Sequence, residues 1–281
     1  MKRDLIIGCY TNYDWSKIKF WANSIDYSGF TGDKAIIIYN SNYNTVKELI
    51  KRKFRIFGFN QDSNTGDLYY DRQLIIVVQR FIDLWNFFCK IDLTQYRYII
   101  QSDTKDVIFQ TNPSDWLTAN MGDAKILASC ESLKYKDEPW GNDNLQTSFP
   151  TIYDKLKDQP IWNCGVQAGE PNTMRDLWFS IYNLCKGTHI PNPDQAAYNV
   201  LLNLEPYKSI TKFTMSEDFW AAQLGTTMDP LKMHTFLPNL LEPQPIFDGE
   251  YLTTSTGKIF SVIHQYDRVP ILKDFFEKKY G

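Results

Sequence analysis

The chain has 281 residues, 43% of them hydrophobic and 22% charged, with 30 basic against 33 acidic side chains and a formal net charge of −3. That length suits one large α/β domain, which buries about three quarters of its unfolded surface and needs no staples. The near-balance of charge excludes the basic excess or stripe of a nucleic-acid binder, and no apolar stretch is long enough to span a membrane.

Five cysteines (Cys9, Cys89, Cys130, Cys164, Cys185) form no C-x-x-C pair, and several lie in apolar segments. They read as reduced, mostly buried thiols. DLIIGCY is too short for the core of a signal peptide, so the expected location is cytoplasmic. Aromatics reach 15%; most belong in a core, although such rings also stack on the C–H faces of sugars.

Asp4–Tyr10 (DLIIGCY) predicts a first buried strand, closed by the turn signal Thr11-Asn12. Trp15–Tyr27 has helical spacing, Lys34–Tyr39 (KAIIIY) predicts a second strand, Tyr43–Lys53 a short helix and Phe54–Phe59 a third strand. Asp71–Ile91 predicts a long helix with Leu74, Val77, Val78, Phe81, Leu84, Trp85 and Phe88 on one face. Tyr96–Gln101 is the fourth strand. Regular alternation of strand and helix implies βαβ units around a mainly parallel sheet.

Beyond Asp106 the rhythm loosens. Asn112-Pro113 opens a short helix to Asn120, and Ala124–Ser129 is another strand. The polar run Glu131–Pro150 predicts a lid or a poorly ordered loop. Trp162–Gly169 (WNCGVQAG) is a small-residue strand, followed by helices over Pro171–Lys186 and Pro191–Leu204. The pattern is irregular from Ser209, until Lys258–Ile263 gives a last strand and Pro270–Lys279 a terminal helix.

Ligands in open α/β sheets bind outside the carboxyl ends of the strands. Asp103 and Asp106 follow such an end, as do Tyr10, Thr11 and Asn12 after the first strand and His264 after the last. Two carboxylates there can hold a divalent cation, act as an acid/base pair, or cap a turn. Capping explains one Asp; it explains a pair less well, because like charges three residues apart repel unless a cation lies between them. A hard cation takes oxygen ligands and tolerates an imidazole, which makes His264 a candidate third ligand. The plainer alternative is a hydrogen-bonded structural histidine.

Asp103-Thr104-Lys105-Asp106 with VIFQ and Asn112-Pro113 resembles the DxD-type segment of GT-A glycosyltransferases, which depend on nucleotide sugars. Asn163-Cys164-Gly165-Val166 with Gly169 resembles their sugar-site strand, Asp194-Gln195-Ala196-Ala197 with Asn199 their DQ helix start, and Val262–Arg268 (VIHQYDR) their C-terminal histidine motif. These occur in the family's order. One departure stands out: the usual D-x-D is here D-x-x-D.

The resemblance implies a GT-A fold, α/β with a Rossmann-like, mixed, mainly parallel central sheet flanked by helices. It implies a single catalytic domain over 1–281, with a nucleotide-binding half to about 110 and an acceptor half beyond. Its activity would move a sugar from a nucleotide-sugar donor, such as UDP-xylose or UDP-glucose, to a hydroxyl of a glycan or glycoprotein, assisted by Mn²⁺ or Mg²⁺. Asp103, Asp106 and His264 would hold the cation. Tyr10, Thr11, Asn12, Arg72, Asp103 and Arg268 would contact the nucleotide; Asn163, Gln195 and Trp140 the sugar or acceptor; Asp194 would be catalytic. Small size and the absence of an anchor resemble soluble bacterial or large-DNA-virus enzymes, including those that decorate capsid glycans.

Two rivals remain. A nucleotidyltransferase making sugar nucleotides would open with a Gly-rich, basic loop, whereas GCYTNYDW has one glycine and no base. A non-catalytic nucleotide-sugar or carbohydrate-binding protein is favoured by the D-x-x-D spacing.

Overall fold

The structure, a computed structural model, describes residues 2–72, 75–186, 188, 190 and 192–281. Among these, ten strands have three residues or more: β1 (Arg3–Tyr10), β2 (Asp33–Ile38), β3 (Phe54–Phe57), β4 (Tyr96–Ser102), β5 (Val107–Phe109), β6 (Ile126–Lys134), β7 (Pro160–Gly169), β8 (Thr211–Thr214), β9 (Ala221–Gln223) and β10 (Val262–His264). The longer helices are α1 (Trp15–Tyr27), α2 (Tyr43–Lys51), α3 (Ile76–Phe88), α4 (Pro113–Asn120), α5 (Pro139–Ser148), α6 (Pro171–Lys186), α7 (Asp194–Leu202) and α8 (Pro270–Lys279).

The strands of the central sheet lie in the order β8-β6-β7-β4-β1-β2-β3. Every neighbouring pair is parallel except those of β7, which runs antiparallel to both β4 and β6. A run such as LIIGCY suits this sheet because both of its faces are covered. Leu5, Ile7, Ile37 and Ile99 pack on one side with Phe81 and Phe88 of α3 and Trp178 of α6. Ile6, Ile36 and Ile100 pack on the other with Trp21 and Ile25 of α1 and Trp116 of α4. A smaller sheet, β9-β10-β5, sits beside the large one and buries Ile108, Ala222 and Ile263 with Phe276 of α8.

Four expectations change. The long helix begins at Ile76, after an exposed turn that carries Asp71 and Arg72; Leu74 lies outside the described residues. The stretch 131–150, expected as a lid or a poorly ordered loop, is not a poorly ordered loop: β6 continues to Lys134, and α5 follows with Glu138 as its N-cap. Its polar sequence hides the few anchors that fix it, Tyr135 and Leu145, which pack with Ile161, Ala196 and Val200. The last strand is Val262–His264, not Lys258–Ile263, so His264 lies within it. Helix α7 spans Asp194–Leu202, shorter than expected, and Pro191 is outside the described residues.

The five cysteines are free; Cys130, Cys164 and Cys185 are buried, whereas Cys89 is exposed. No helix of the described residues is long and apolar enough to cross a membrane.

Helix α7 is tied to the sheet through Asn199, which is fully buried. Its Oδ1 accepts from the Trp162 backbone N–H and its Nδ2 donates to the Trp162 carbonyl, both at 2.8 Å. A leucine there would strand two buried backbone groups, each costing roughly 1–3 kcal/mol. Asn199→Leu is expected to lose on the order of 3 kcal/mol of stability in urea unfolding, with little change in slope.

Candidate active site

The carboxyl end of β4 opens on a cleft of about 530 Å³, within the range of small-ligand sites. The strand ends at Ser102, and the Asp103 N–H still donates to the Gly165 carbonyl of β7 at 2.7 Å. The chain turns through Thr104 and Lys105 and enters β5 at Val107, whose antiparallel partner is His264 of β10. Asp103 therefore hangs from the large sheet and Asp106 from the small one. Two intervening residues span that gap, which accounts for the D-x-x-D spacing.

The ligand atoms of Asp103, Asp106 and His264 lie within 4.8 Å of one another. His264 Nε2 is 3.6 Å from Asp103 Oδ2 and 3.8 Å from Asp106 Oδ1. Gly165 leaves room for this group: a Cβ there would come within 2.6 Å of His264 Cε1 and 2.8 Å of Asp103 Oδ2. Two carboxylates and one imidazole around a space kept clear of side chains suit a hard divalent cation.

Arg80 supports the group from below. Buried on α3, it pairs through Nη1 with Asp103 Oδ1 and through Nη2 with Asp194 Oδ2, the latter at 3.0 Å. Burial alone would raise Asp103, but the Arg80 and His264 charges outweigh it and hold the carboxyl at about 2. Asp106 moves the other way, raised by burial and by the Asp103 charge. Burial also raises Asp194 despite Arg80. It lowers His264, yet the two carboxylates more than reverse that and leave the imidazole above its ordinary value.

Beyond Gly165 lies a second polar cluster. Asn163 Oδ1 accepts from the Gly165 N–H at 2.8 Å, and its Nδ2 donates to Glu131 Oε1 at 2.7 Å. Gln195 Oε1 accepts from the Cys164 N–H at 3.3 Å. Glu131 is buried, and that burial raises its carboxyl. Three residues hold left-handed backbone beside the cleft: Asn12 (φ 58°), Ser132 (φ 59°) and Gln265 (φ 60°). Each follows a cleft residue, namely Thr11, Glu131 or His264. Such conformations cost about 1–3 kcal/mol and persist where the surroundings enforce them.

The cleft brings together most of the residues singled out in the sequence. Asp103, Asp106 and His264 form its floor, with Asn163, Asp194 and Gln195 at one end. Tyr10 and Thr11 stand at the carboxyl end of β1, and Trp140 and Arg268, both half exposed, at the rim. The Tyr10 ring is fully buried with its hydroxyl on Ser41 Oγ (2.8 Å); Tyr13, stacked on it at 6.2 Å, is the more open of the two rings. The structure leaves two residues out of the cleft. Asn12 is exposed, and its N–H is held by the Asn40 carbonyl at 2.9 Å. Arg72 lines a separate groove with Gln79, Asp83 and Tyr182, because α3 starts beyond it.

Arg80 and Glu131 were missed. A signal for Arg80 existed, since it is the lone charge on the apolar stripe Val77, Phe81, Leu84. Glu131 ends the small apolar run ILASC, where a carboxylate is equally out of place. Cys9 and Cys164 also line the cleft, but burial pushes both thiols up, which disfavours the thiolate a nucleophile needs.

No family model matches the sequence, and no curated protein does. Solved structures do match. One is mouse xyloside xylosyltransferase 1 in its apo form, 14% identical, covering 93% of this chain and 97% of that one, with a TM-score of 0.52. Another is the galactosyltransferase LgtC in complex with donor and acceptor sugar analogues, 11% identical, covering 98% and 96%, with a TM-score of 0.55. The fold is GT-A. Its mixed, mainly parallel sheet and the cleft at the end of β4 meet the expectation from the sequence.

Removing the Arg80 charge would leave the buried Asp194 without its partner and Asp103, a third of whose side chain is open, with His264 alone, a change that costs up to about 3–5 kcal/mol. Arg80→Met is expected to lose that much stability at pH 7, read by chemical denaturation. The folded-state value of Asp103 lies below that of an unfolded chain, so this stabilisation is complete above about pH 4 and is lost as pH falls through about 2. The gap between wild type and variant is therefore expected to narrow over that window.

Proposed function

We propose that this chain is a divalent-cation-assisted glycosyltransferase, moving a sugar from a nucleotide-sugar donor to a hydroxyl of a glycan or glycoprotein acceptor. A UDP-sugar such as UDP-xylose or UDP-glucose is the donor we favour. The observation that carries this reading is the triangle of Asp103, Asp106 and His264 at the mouth of the sheet. Support comes from the two similar structures, one a xylosyltransferase and the other a galactosyltransferase with donor and acceptor analogues.

The charge in the cleft points the same way. Among the described residues its lining carries six carboxylates (Asp103, Asp106, Glu131, Glu138, Asp194, Asp229) against four cations (Arg80, Lys105, Lys232, Arg268). A pyrophosphate would be repelled from such a surface unless it arrived with a counter-cation. Mn²⁺ or Mg²⁺ held by Asp103, Asp106 and His264 would neutralise the charge that develops on the leaving diphosphate.

The chain's own groups do the remainder. Arg80 keeps Asp103 ionised and fixes its direction, a preorganised charge that needs no rearrangement during reaction. Tyr13 and Thr11 receive the base and ribose, and Arg268 and Lys232 lie along the phosphates. Asn163, Gln195 and Glu131 hold the sugar hydroxyls, while Trp140 closes the rim over them. Asp194, raised by burial, takes the proton of the acceptor hydroxyl, because a base works best when its pKa approaches the working pH.

Two variants separate these roles. With a panel of UDP- and GDP-sugars, wild type is expected to release nucleoside diphosphate slowly without acceptor, and EDTA is expected to abolish that release. Asp103→Asn should lose both cation stimulation and nucleotide affinity. Asp194→Asn should keep nucleotide affinity while turnover with acceptor falls by about 10²–10⁴. Equal turnover in Asp103→Asn and wild type would contradict the assignment.

A further inference from the structure

His264 faces Asp103 and Asp106 with Nε2, while its other ring nitrogen has a partner within the fold. Nδ1 lies 2.7 Å from Gln223 Oε1. An amide oxygen only accepts, so Nδ1 carries a proton in the neutral ring and in the imidazolium alike, and Nε2 is the nitrogen left to offer its lone pair to a cation once it has given up its own proton. Gln223 is held in turn, its Nε2 donating to Ser129 Oγ at 2.9 Å. The three side chains come from three strands: Ser129 from β6 of the large sheet, Gln223 from β9 and His264 from β10, where Gln223 and His264 are register partners. Ser129, Gln223 and His264 are 1%, 2% and 3% exposed, so the row is closed to water.

Burying an amide is costly unless both of its ends are bonded. A leucine would fill this interior position with no such demand. The amide does what a leucine does not: it fixes the tautomer and the ring direction of His264. A ring with Nδ1 left free is able to place its proton on Nε2 instead, where it would bridge to Asp103 and Asp106 and leave no lone pair for an ion.

We propose that Gln223, held by Ser129, is a positioning residue that presets His264 as a cation ligand. The inference rests on the cation-assisted reading above, and it adds a residue to which neither sequence motif nor cleft lining points. Partners of this kind on the far nitrogen of a ligand histidine change metal affinity by about 10–100-fold.

The test uses the full chain with uridine diphosphate present and reads bound Mn²⁺ by electron paramagnetic resonance, with circular dichroism as the folding control. Gln223→Leu is expected to bind Mn²⁺ about 10–100-fold more weakly than wild type. Gln223→Glu, which still accepts from Nδ1–H, should bind at least as tightly. In wild type with Mg²⁺, nitrogen-15 shifts should show His264 protonated at Nδ1, its signals identified by their loss in His264→Asn. Wild-type affinity in Gln223→Leu would overturn the proposal while leaving the cation site standing, and a proton on Nε2 in wild type with Mg²⁺ would overturn it and remove His264 from the ligand set. A wild type that binds no Mn²⁺ would overturn both. Should Gln223→Leu fail to fold, the wild-type tautomer decides alone.

Discussion

Carboxylates gathered at the mouth of a sheet repel one another, and something positive must face them. In this protein that role falls first to Arg80, whose guanidinium sits between Asp103 and Asp194 inside the domain. The pair is more than a stabilising contact. It sets the direction of Asp103, keeps it ionised, and links the end of β4 to the start of α7. Asp106 and His264 then complete a half-neutralised group whose remaining charge faces the cleft. A fold that merely needed stability would fill such a place with apolar side chains, since buried ion pairs seldom improve on them.

The two sheets explain why the group is shaped as it is. Asp103 follows the last residue of a strand in the large sheet, whereas Asp106 immediately precedes one strand of the smaller sheet and His264 ends its antiparallel partner. Their meeting depends on close approaches that few residues allow. Gly165 gives up its side-chain space to Asp103 and His264, and Gly8 does the same for Thr104, which would meet a Cβ at 2.3 Å. Both glycines sit in strands where, without that purpose, they would only weaken the sheet.

Much of the fold was legible because apolar runs such as DLIIGCY and KAIIIY allow little besides buried parallel strands, and the spacing from Val77 to Phe88 allows little besides a helix. Motif positions also carried Asp103, Asp106, Asn163, Asp194, Gln195 and His264 into one cleft. Legibility failed where tertiary packing overrode composition. The polar 131–150 stretch became a strand end and a helix because a few apolar side chains, Leu133, Tyr135, Leu145 and Phe149, anchor it and Glu138 caps the helix. Arg72 looked like a phosphate ligand by its place ahead of a helix, but that helix starts later and turns Arg80 to the cleft instead. Gln223 carried no signal at all, since an isolated glutamine in AAQLG has nothing to mark it. Only the pairing of β9 with β10 reveals its partner.

One measurement bears on all of this most directly: anomalous diffraction at the manganese edge from crystals grown with MnCl₂ and uridine diphosphate. The expected map has a single strong peak among Asp103, Asp106 and His264 Nε2, with the diphosphate beside it and Arg80 still paired to Asp103. A diphosphate bound in the cleft with no peak there, and both carboxylates turned to neighbouring backbone amides, would contradict the central claim.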